Sequence, residues 1–235
     1  MGTLPENPAV GARDPFPVSA QGFYRRAGKR LLDIVLSGVG LSLLSPVFLV
    51  VAVLTRSTSR GPAFFRQRRV GKDGRIFVIV KFRSMVAFSG RQGPSITASG
   101  DSRITSWGAF LRRHKIDELP QLWNVLKGEM SLVGPRPEVE LYVRVYTPLQ
   151  RRVLEVRPGM TDVASLAYRA EERMLAARDD PEKYYVEEIL PRKLALNLQY
   201  IESYTVSQDL SLILKTMSSL LSLHSLPIDK PAVSP

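Results

Sequence analysis

The spacing of apolar and polar residues changes several times along this chain, and each change predicts a different kind of element. Leu31 to Leu54 form a run of 24 residues that is apolar apart from Asp33 and a few Ser and Gly. As a helix this run would reach roughly 36 Å, against about 30 Å for the hydrocarbon core of a bilayer. It starts too far in, runs too long and lacks the small-residue cleavage site of a secretory signal. The pattern then shortens. Ala63 to Gln67 and Ile76 to Arg83 read as strands of a hairpin, with Gly71-Lys72-Asp73-Gly74 as the turn. Helical spacing returns from Ser102 to Arg113, where Ile104, Trp107, Phe110 and Leu111 form an apolar stripe that suits either a membrane interface or a core face. Further helices are predicted after Pro120, from Glu138 to Tyr146, through the acidic amphipathic stretch Pro181 to Tyr204, and from Leu210 to Leu223. Ser89 to Gly100 reads as a polar loop. Met1 to Gln21 and Leu226 to Pro235 show no periodicity and read as tails. No internal repeat is visible. The expected fold is therefore α+β and mostly helical: a tail over residues 1–22, a membrane helix over 23–56, a folded domain over 57–222 with a short β-hairpin and interfacial amphipathic helices, and a tail over 223–235.

Two features bear on how the apolar run meets a membrane. Ser45-Pro46 interrupts it midway, where proline removes a backbone hydrogen bond and bends a helix. Both flanks are basic, with Arg25, Arg26, Lys29 and Arg30 before the run and Arg56, Arg60, Arg66, Arg68 and Arg69 after it. Positive residues mark the cytoplasmic side, so two basic flanks disfavour placing the ends on opposite faces. A re-entrant hairpin kinked at Ser45 and Pro46 satisfies both features; a proline-kinked spanning helix remains the other reading.

Charge sharpens the picture. Of the net +11, the stretch from Arg25 to Lys115 carries 18 Lys and Arg against three acids (Asp33, Asp73, Asp101), or +15, and the remainder 15 cations against 19 acids, or −4. Such asymmetry points to one face that meets anions, with anionic lipid and nucleic acid as rival partners on charge alone. No nucleic-acid recognition module is recognisable, and no Gly-rich phosphate loop appears, so any nucleotide must be held by side-chain cations. The absence of cysteine excludes disulfides and thiolate metal sites, and two histidines make a histidine-rich metal site a poor expectation.

Candidate chemistry gathers in Arg112-Arg113-His114-Lys115-Ile116-Asp117-Glu118-Leu119-Pro120-Gln121. Adjacent carboxylates follow three cations and precede an apolar-periodic run, and Pro120 suits a first helical turn. A helix N-terminus would favour the ionised pair and attract phosphate; an ordinary capped surface helix would need the same residues. Lys81 and Arg83 are spaced to share one strand face. Gly134-Pro135-Arg136-Pro137 and Arg157-Pro158-Gly159 are stiff turns, each presenting one arginine suited to phosphate.

These residues, in this order, resemble the monotopic phosphoglycosyl transferases, bacterial sugar transferases that begin glycan assembly on a polyprenyl-phosphate carrier. The resemblance runs from about Phe23 to Met217. It rests on Lys29-Arg30-Leu31-Leu32-Asp33, Ser45-Pro46, Lys81-Phe82-Arg83-Ser84-Met85, Asp117 to Gly128, Met130 to Pro137 and Arg157-Pro158-Gly159-Met160-Thr161. It implies a re-entrant helix broken at Ser45-Pro46, and a cytoplasmic-face catalytic domain on a bacterial inner membrane. It implies that Asp117 attacks the β-phosphate of a nucleotide-sugar, usually a UDP-sugar, that UMP leaves, and that polyprenyl phosphate then takes the phosphosugar from the aspartyl intermediate. Mg²⁺ held by Asp117 and Glu118 would neutralise the diphosphate, and Lys81, Arg83, Arg112, Arg136 and Arg157 would stand near the phosphates.

The chain departs from a common family pattern after Thr161, with Asp162-Val163-Ala164-Ser165-Leu166 where many members carry Gly-Trp-Ala-Gln-Val, which leaves the sugar unspecified. It reads as a minimal form without the extra N-terminal helices of larger relatives. A homodimer is compatible with the sequence and not specified by it. The competing expectation is a non-enzymatic adaptor that binds anionic lipid through the basic half; it would release no UMP from a UDP-sugar.

Overall fold

A computed structural model describes residues 22, 24–86 and 101–221. The apolar run forms one helix, α1 (Lys29–Thr58), entered through a π-helical turn at Tyr24–Gly28. The helix continues through Ser45 and Pro46 and is not interrupted there. Pro46 has no N–H for the carbonyl of Ser42, and the Ser45 hydroxyl donates to that carbonyl at 2.8 Å in its place. Among the described residues α1 is the one helix long and apolar enough to cross a membrane. Its buried positions fall at its two ends, Asp33 and Ser37 near the start, Val51 and Thr55 near the finish. Leu43, Ser45, Pro46 and Val47 between them are exposed.

The hairpin forms as the sequence predicts, with small shifts at its ends. β1 (Phe64–Val70) pairs antiparallel with β2 (Ile76–Phe82), Phe64 opposite Phe82 and Val70 opposite Ile76. Asp73 (φ 55°) and Gly74 (φ 74°) take left-handed conformations in the turn, which Asp tolerates and glycine adopts freely. β2 stops at Phe82, one residue short of Arg83.

The next helix, α2 (Ser106–Arg113), starts four residues later than the spacing predicts. Thr105 caps it by accepting from the Gly108 N–H at 2.9 Å, and Ile104 instead bridges to Met85. Most of its apolar stripe faces the core: Leu111 and Trp107 pack with Val51, Phe48 and Phe82. Phe110 stays exposed and stacks on Trp107. A β-carbon on Gly108 would sit 1.8 Å from the Ser84 carbonyl oxygen, so this approach requires glycine.

α3 (Gln121–Lys127) follows and ends at Gly128, whose φ of 85° terminates it. β3 (Ser131–Val133) and β4 (Gly159–Thr161) then pair in parallel and set the two proline turns against each other. The contact is close enough that a β-carbon on Gly159 would lie 2.1 Å from the Gly134 nitrogen. Between them α4 (Glu140–Val143) is shorter than the predicted Glu138 to Tyr146 helix. The C-terminal portion is helical as expected: α5 (Val163–Ala167), α6 (Glu171–Ala176), α7 (Pro181–Tyr184), a π-helical turn at Tyr185–Ile189, α8 (Leu190–Ser203) and α9 (Val206–Leu221). Tyr142, Tyr146, Leu175, Tyr185, Ile189 and Leu194 form its core, while Glu187 and Glu188 face solvent. The described chain is thus mostly helical with two small sheets. The predicted Ser89 to Gly100 loop and the predicted tails, apart from Gly22, lie outside the described residues.

Candidate active site

Asp117 and Glu118 lie on a single 3-10 turn (Ile116–Glu118) between α2 and α3. Lys115, at a left-handed φ of 54°, reverses the chain into it. The pair therefore sits one turn ahead of α3, close to the helix start that the sequence suggests. Asp117 is 5% exposed, and its Oδ1 is buried without a hydrogen-bond partner among the described residues. Glu118 is the opposite. Its Oε1 accepts from Lys81 Nζ at 2.8 Å and from Arg136 Nη2 at 2.6 Å, and Oε2 lies 3.4 Å from Arg136 Nη1. Strand β2 supplies the lysine and the turn after β3 supplies the arginine. Asn124 holds α3 on β2: its Oδ1 accepts from Val80 N–H at 3.1 Å, and its Nδ2 donates to the Val78 carbonyl at 2.8 Å and to Glu129 at 2.7 Å.

Adjacent in sequence, the two carboxylates are pushed in opposite directions. Burial, and then the charge of Glu118, raise Asp117 above the ordinary carboxylate range. Burial would raise Glu118 too, but Arg136 and Lys81 outweigh it and hold that group well below the usual range. Lys81 is lowered because burial exceeds the lift from Glu118, whereas Glu118 keeps Arg136 firmly protonated. Glu118 is then a fixed, neutralised anion, and Asp117 a carboxylate with no counter-charge in contact. Nearby opposite shifts of this kind separate chemical roles in active sites.

Mg²⁺ binds oxygen and often takes only one or two carboxylates together with substrate phosphates. No group of three His, Cys, Asp or Glu that could cage a metal occurs among the described residues. The unpartnered Oδ1 of Asp117 fits the sparser kind of site. Glu118, with its oxygens on Arg136 and Lys81, is the weaker ligand of the expected two.

Of the five cations expected near the phosphates, Lys81 and Arg136 meet at Glu118, and the other three have different partners. Arg112 pairs with Glu172 on α6, although its charge still acts on Asp117. Arg157 is exposed and donates through Nε to the Gly128 carbonyl at 2.8 Å. Arg83 does not share a face with Lys81. Because β2 ends at Phe82, its side chain instead reaches the C-terminal carbonyls of α1, where Nη2 donates to Thr55 at 2.9 Å and to Ser59 at 2.7 Å.

Several residues with no role assigned from sequence support this arrangement. Asp33 accepts from the Leu132 N–H at 2.9 Å and the Ser131 hydroxyl at 3.1 Å, which ties α1 to β3. Arg30 donates to the Val125 and Leu126 carbonyls at 2.6 and 2.7 Å, capping α3. Asp209 on α9 accepts from Tyr24, Tyr200 and Lys29, closing the C-terminal helices onto the start of α1. Gln121, one helical turn beyond Asp117, is 1% exposed with an unpartnered Nε2. Asp33 and Asn124 lie in segments that carry the family resemblance, but in the sequence each shows only as an isolated polar residue in an apolar run, with no partner indicated. Asp162, where the chain departs from the common pattern, is buried and caps α5 by accepting from Ser165 N–H at 2.9 Å.

The described residues combine one helix long and apolar enough to cross a membrane with a carboxylate–cation cluster suited to handling anions. The chain belongs to the bacterial sugar transferase family, which it matches over residues 24–223. It is similar to the UDP-N-acetylgalactosamine-undecaprenyl-phosphate N-acetylgalactosaminephosphotransferase of Aeromonas hydrophila, 37% identical over 82% of this chain and 43% of the relative. It is also similar to the UDP-glucose:undecaprenyl-phosphate glucose-1-phosphate transferase of Caulobacter vibrioides, 36% identical over 82% of this chain and 69% of the relative. The exopolysaccharide production protein ExoY of Rhizobium meliloti is 31% identical over 80% of this chain and 83% of its own length. The chain thus spans less than half of the first of these and most of the third.

Proposed function

We propose that this protein moves a phosphosugar from a UDP-sugar to polyprenyl phosphate, as the names of its relatives describe for undecaprenyl phosphate. The observation that carries the reading is the division of labour at the carboxylate pair: Glu118 saturated by Lys81 and Arg136, Asp117 buried with a free oxygen and a raised proton affinity. In the first step an Asp117 carboxylate oxygen attacks the sugar-bearing β-phosphorus. A P–O bond forms, the bond to the UMP oxygen breaks, and UMP departs with that electron pair. In the second step a phosphate oxygen of the polyprenyl carrier attacks the same phosphorus and the aspartyl oxygen leaves as carboxylate. Splitting the transfer in this way is what a covalent carboxylate nucleophile provides. Bound Mg²⁺ would supply charge neutralisation on the diphosphate, with the unpartnered Oδ1 of Asp117 as its main protein ligand and Glu118, engaged by Lys81 and Arg136, as the weaker second one. Arg136 and Lys81 orient Glu118 and bring positive charge to where the leaving group becomes anionic.

A cytoplasmic-face location on a bacterial inner membrane follows from the same reading. Both ends of α1 pack on one domain, Asp33 on β3 and Thr55 against Arg83 and Trp107, which supports a helix that enters and leaves by the same side. The direct test is Asp117→Asn. Turnover should fall by about 10³-fold or more, and mass spectrometry of enzyme mixed with donor alone should find a phosphosugar on the wild-type peptide carrying Asp117 and none on the variant. Near-normal turnover by the variant would move the nucleophile elsewhere.

A further inference from the structure

Arg83 is 5% exposed and has no carboxylate partner among the described residues. Its Nη2 is used on the end of α1, but Nε and Nη1 are buried with no hydrogen-bond partner among the described residues. Capping a helix C-terminus explains the first nitrogen and leaves the other two unexplained. A buried cation with unmet donors is costly to hold unless an anion completes it. The described residues around it supply none. Arg56 is near enough to act on Arg83 as a like charge, and Arg56 and Arg60 are both exposed and outside any ion pair among the described residues. The stretch from residue 87 to 100, which follows closely in the chain, contains no Asp or Glu.

The flanking surface is apolar. Arg83 N–H bonds to the Ala63 carbonyl at 2.9 Å, which places it beside Phe64 and Phe65, 38% and 46% exposed. On another side lies the end of α1, whose neighbouring Val53 and Leu54 are exposed as well. An anion bearing a long hydrocarbon chain matches that pairing of unmet donors with bare apolar surface. We propose that Arg83, assisted by Arg56 and Arg60, binds the phosphate of the polyprenyl acceptor at the C-terminal end of α1. This rests on the transfer reaction above and divides its cations: Lys81 and Arg136 serve the carboxylates, and Arg83 serves the lipid phosphate. Lys81 and Arg83 are two residues apart, about 7 Å of backbone, with their side chains turned to different partners, Glu118 and the end of α1. Because Nε and Nη1 are buried, binding the phosphate requires the groups that cover them to move aside.

The experiment compares wild type with Arg83→Met and Arg83→Lys in phosphatidylcholine nanodiscs, with and without phosphatidylglycerol. Two quantities are read: the UMP burst from donor alone, and steady-state turnover as undecaprenyl phosphate is varied. Arg83→Met should raise the acceptor KM about tenfold or more, leave the donor KM within about twofold, and keep the burst. Arg83→Lys keeps the charge but loses the guanidinium donors, and should fall between the two. If Arg83→Met does not fold, the lysine variant decides by the same readings. An unchanged acceptor KM with a lowered melting temperature would leave Arg83 as a helix cap and overturn the proposal. An unchanged acceptor KM with loss of the response to phosphatidylglycerol would assign the site to bulk phospholipid and overturn it too. No burst from the wild type would instead sink the transfer reaction itself.

Discussion

Asp117 and Glu118 differ by one methylene and one position, yet their environments give them opposite tasks. Burial and the neighbouring charge raise Asp117, so its reactive ionised form is lost as pH falls through a value above the ordinary 3.8. The amplitude of the UMP burst should therefore show an acidic limb above that value, measured by rapid quench across pH. Glu118→Gln removes the neighbouring charge that, after burial, raises Asp117, so the limb should move to lower pH while the rate drops about 100-fold or more from misplaced Lys81 and Arg136. A limb that stayed in place would mean that Glu118 does not act on Asp117 through charge. At this scale the sequence was informative about residue type and silent about partners. Adjacent carboxylates among cations announce themselves, but Arg83 and Lys81 look equivalent until β2 ends between them. Asp117 is raised by burial and then by the charge of its neighbour Glu118, whereas Glu118 is lowered by groups 18 and 37 residues away; neither the burial nor the distant partners are specified by local pattern.

Asn124 shows how elements are held around the site. It sits in an apolar-periodic helix, where a polar residue is expected to face water, yet it is fully buried against β2. It satisfies the Val80 N–H and Val78 carbonyl at the edge of the hairpin. Asn124→Ala should leave both unpaired and destabilise the protein by about 2 kcal/mol or more, seen as a lowered melting temperature in detergent. An equally stable variant would show that water reaches these groups. Gly108 makes the same point through sterics. A β-carbon there meets the Ser84 carbonyl, so Gly108→Ala must push α2 off the end of β2 and disturb the turn that carries Asp117. The hairpin, the long helix and the C-terminal helices were legible because each has a period of its own. The start of α2 was not, because Thr105 can cap while Ile104 is taken by a bridge to Met85, a contact across 19 positions.

For the whole molecule, the fixed points are the two ends of α1. Asp33 and Arg30 hold the first, Arg83 and Trp107 the second, and all four attachments belong to the same domain. The middle, including Leu43 and Val47, is exposed and apolar. Because the chain has no cysteine, a single one can be placed at Ala27 or at Ser57, both exposed, without a background signal. In inverted and right-side-out vesicles, impermeant maleimide should label Ala27→Cys and Ser57→Cys from the same, cytoplasmic side. Labelling from opposite sides would make α1 a spanning helix and leave the attachments at its two ends unexplained. The uneven charge agrees with a single wetted face, since the +15 stretch includes both flanks of the helix.

By itself the sequence determined the kinds of element, the greasy anchor, the carboxylate pair and the family to which their order points, because periodicity, proline and glycine act over a few residues. Only the tertiary structure decided that the anchor is a continuous helix fastened at both ends, that two of five candidate cations reach Glu118, and that Arg83 turns to the end of α1 with donors to spare. Those outcomes depend on where strands stop and which backbones touch, and such contacts join residues too distant in the chain for any local rule to pair.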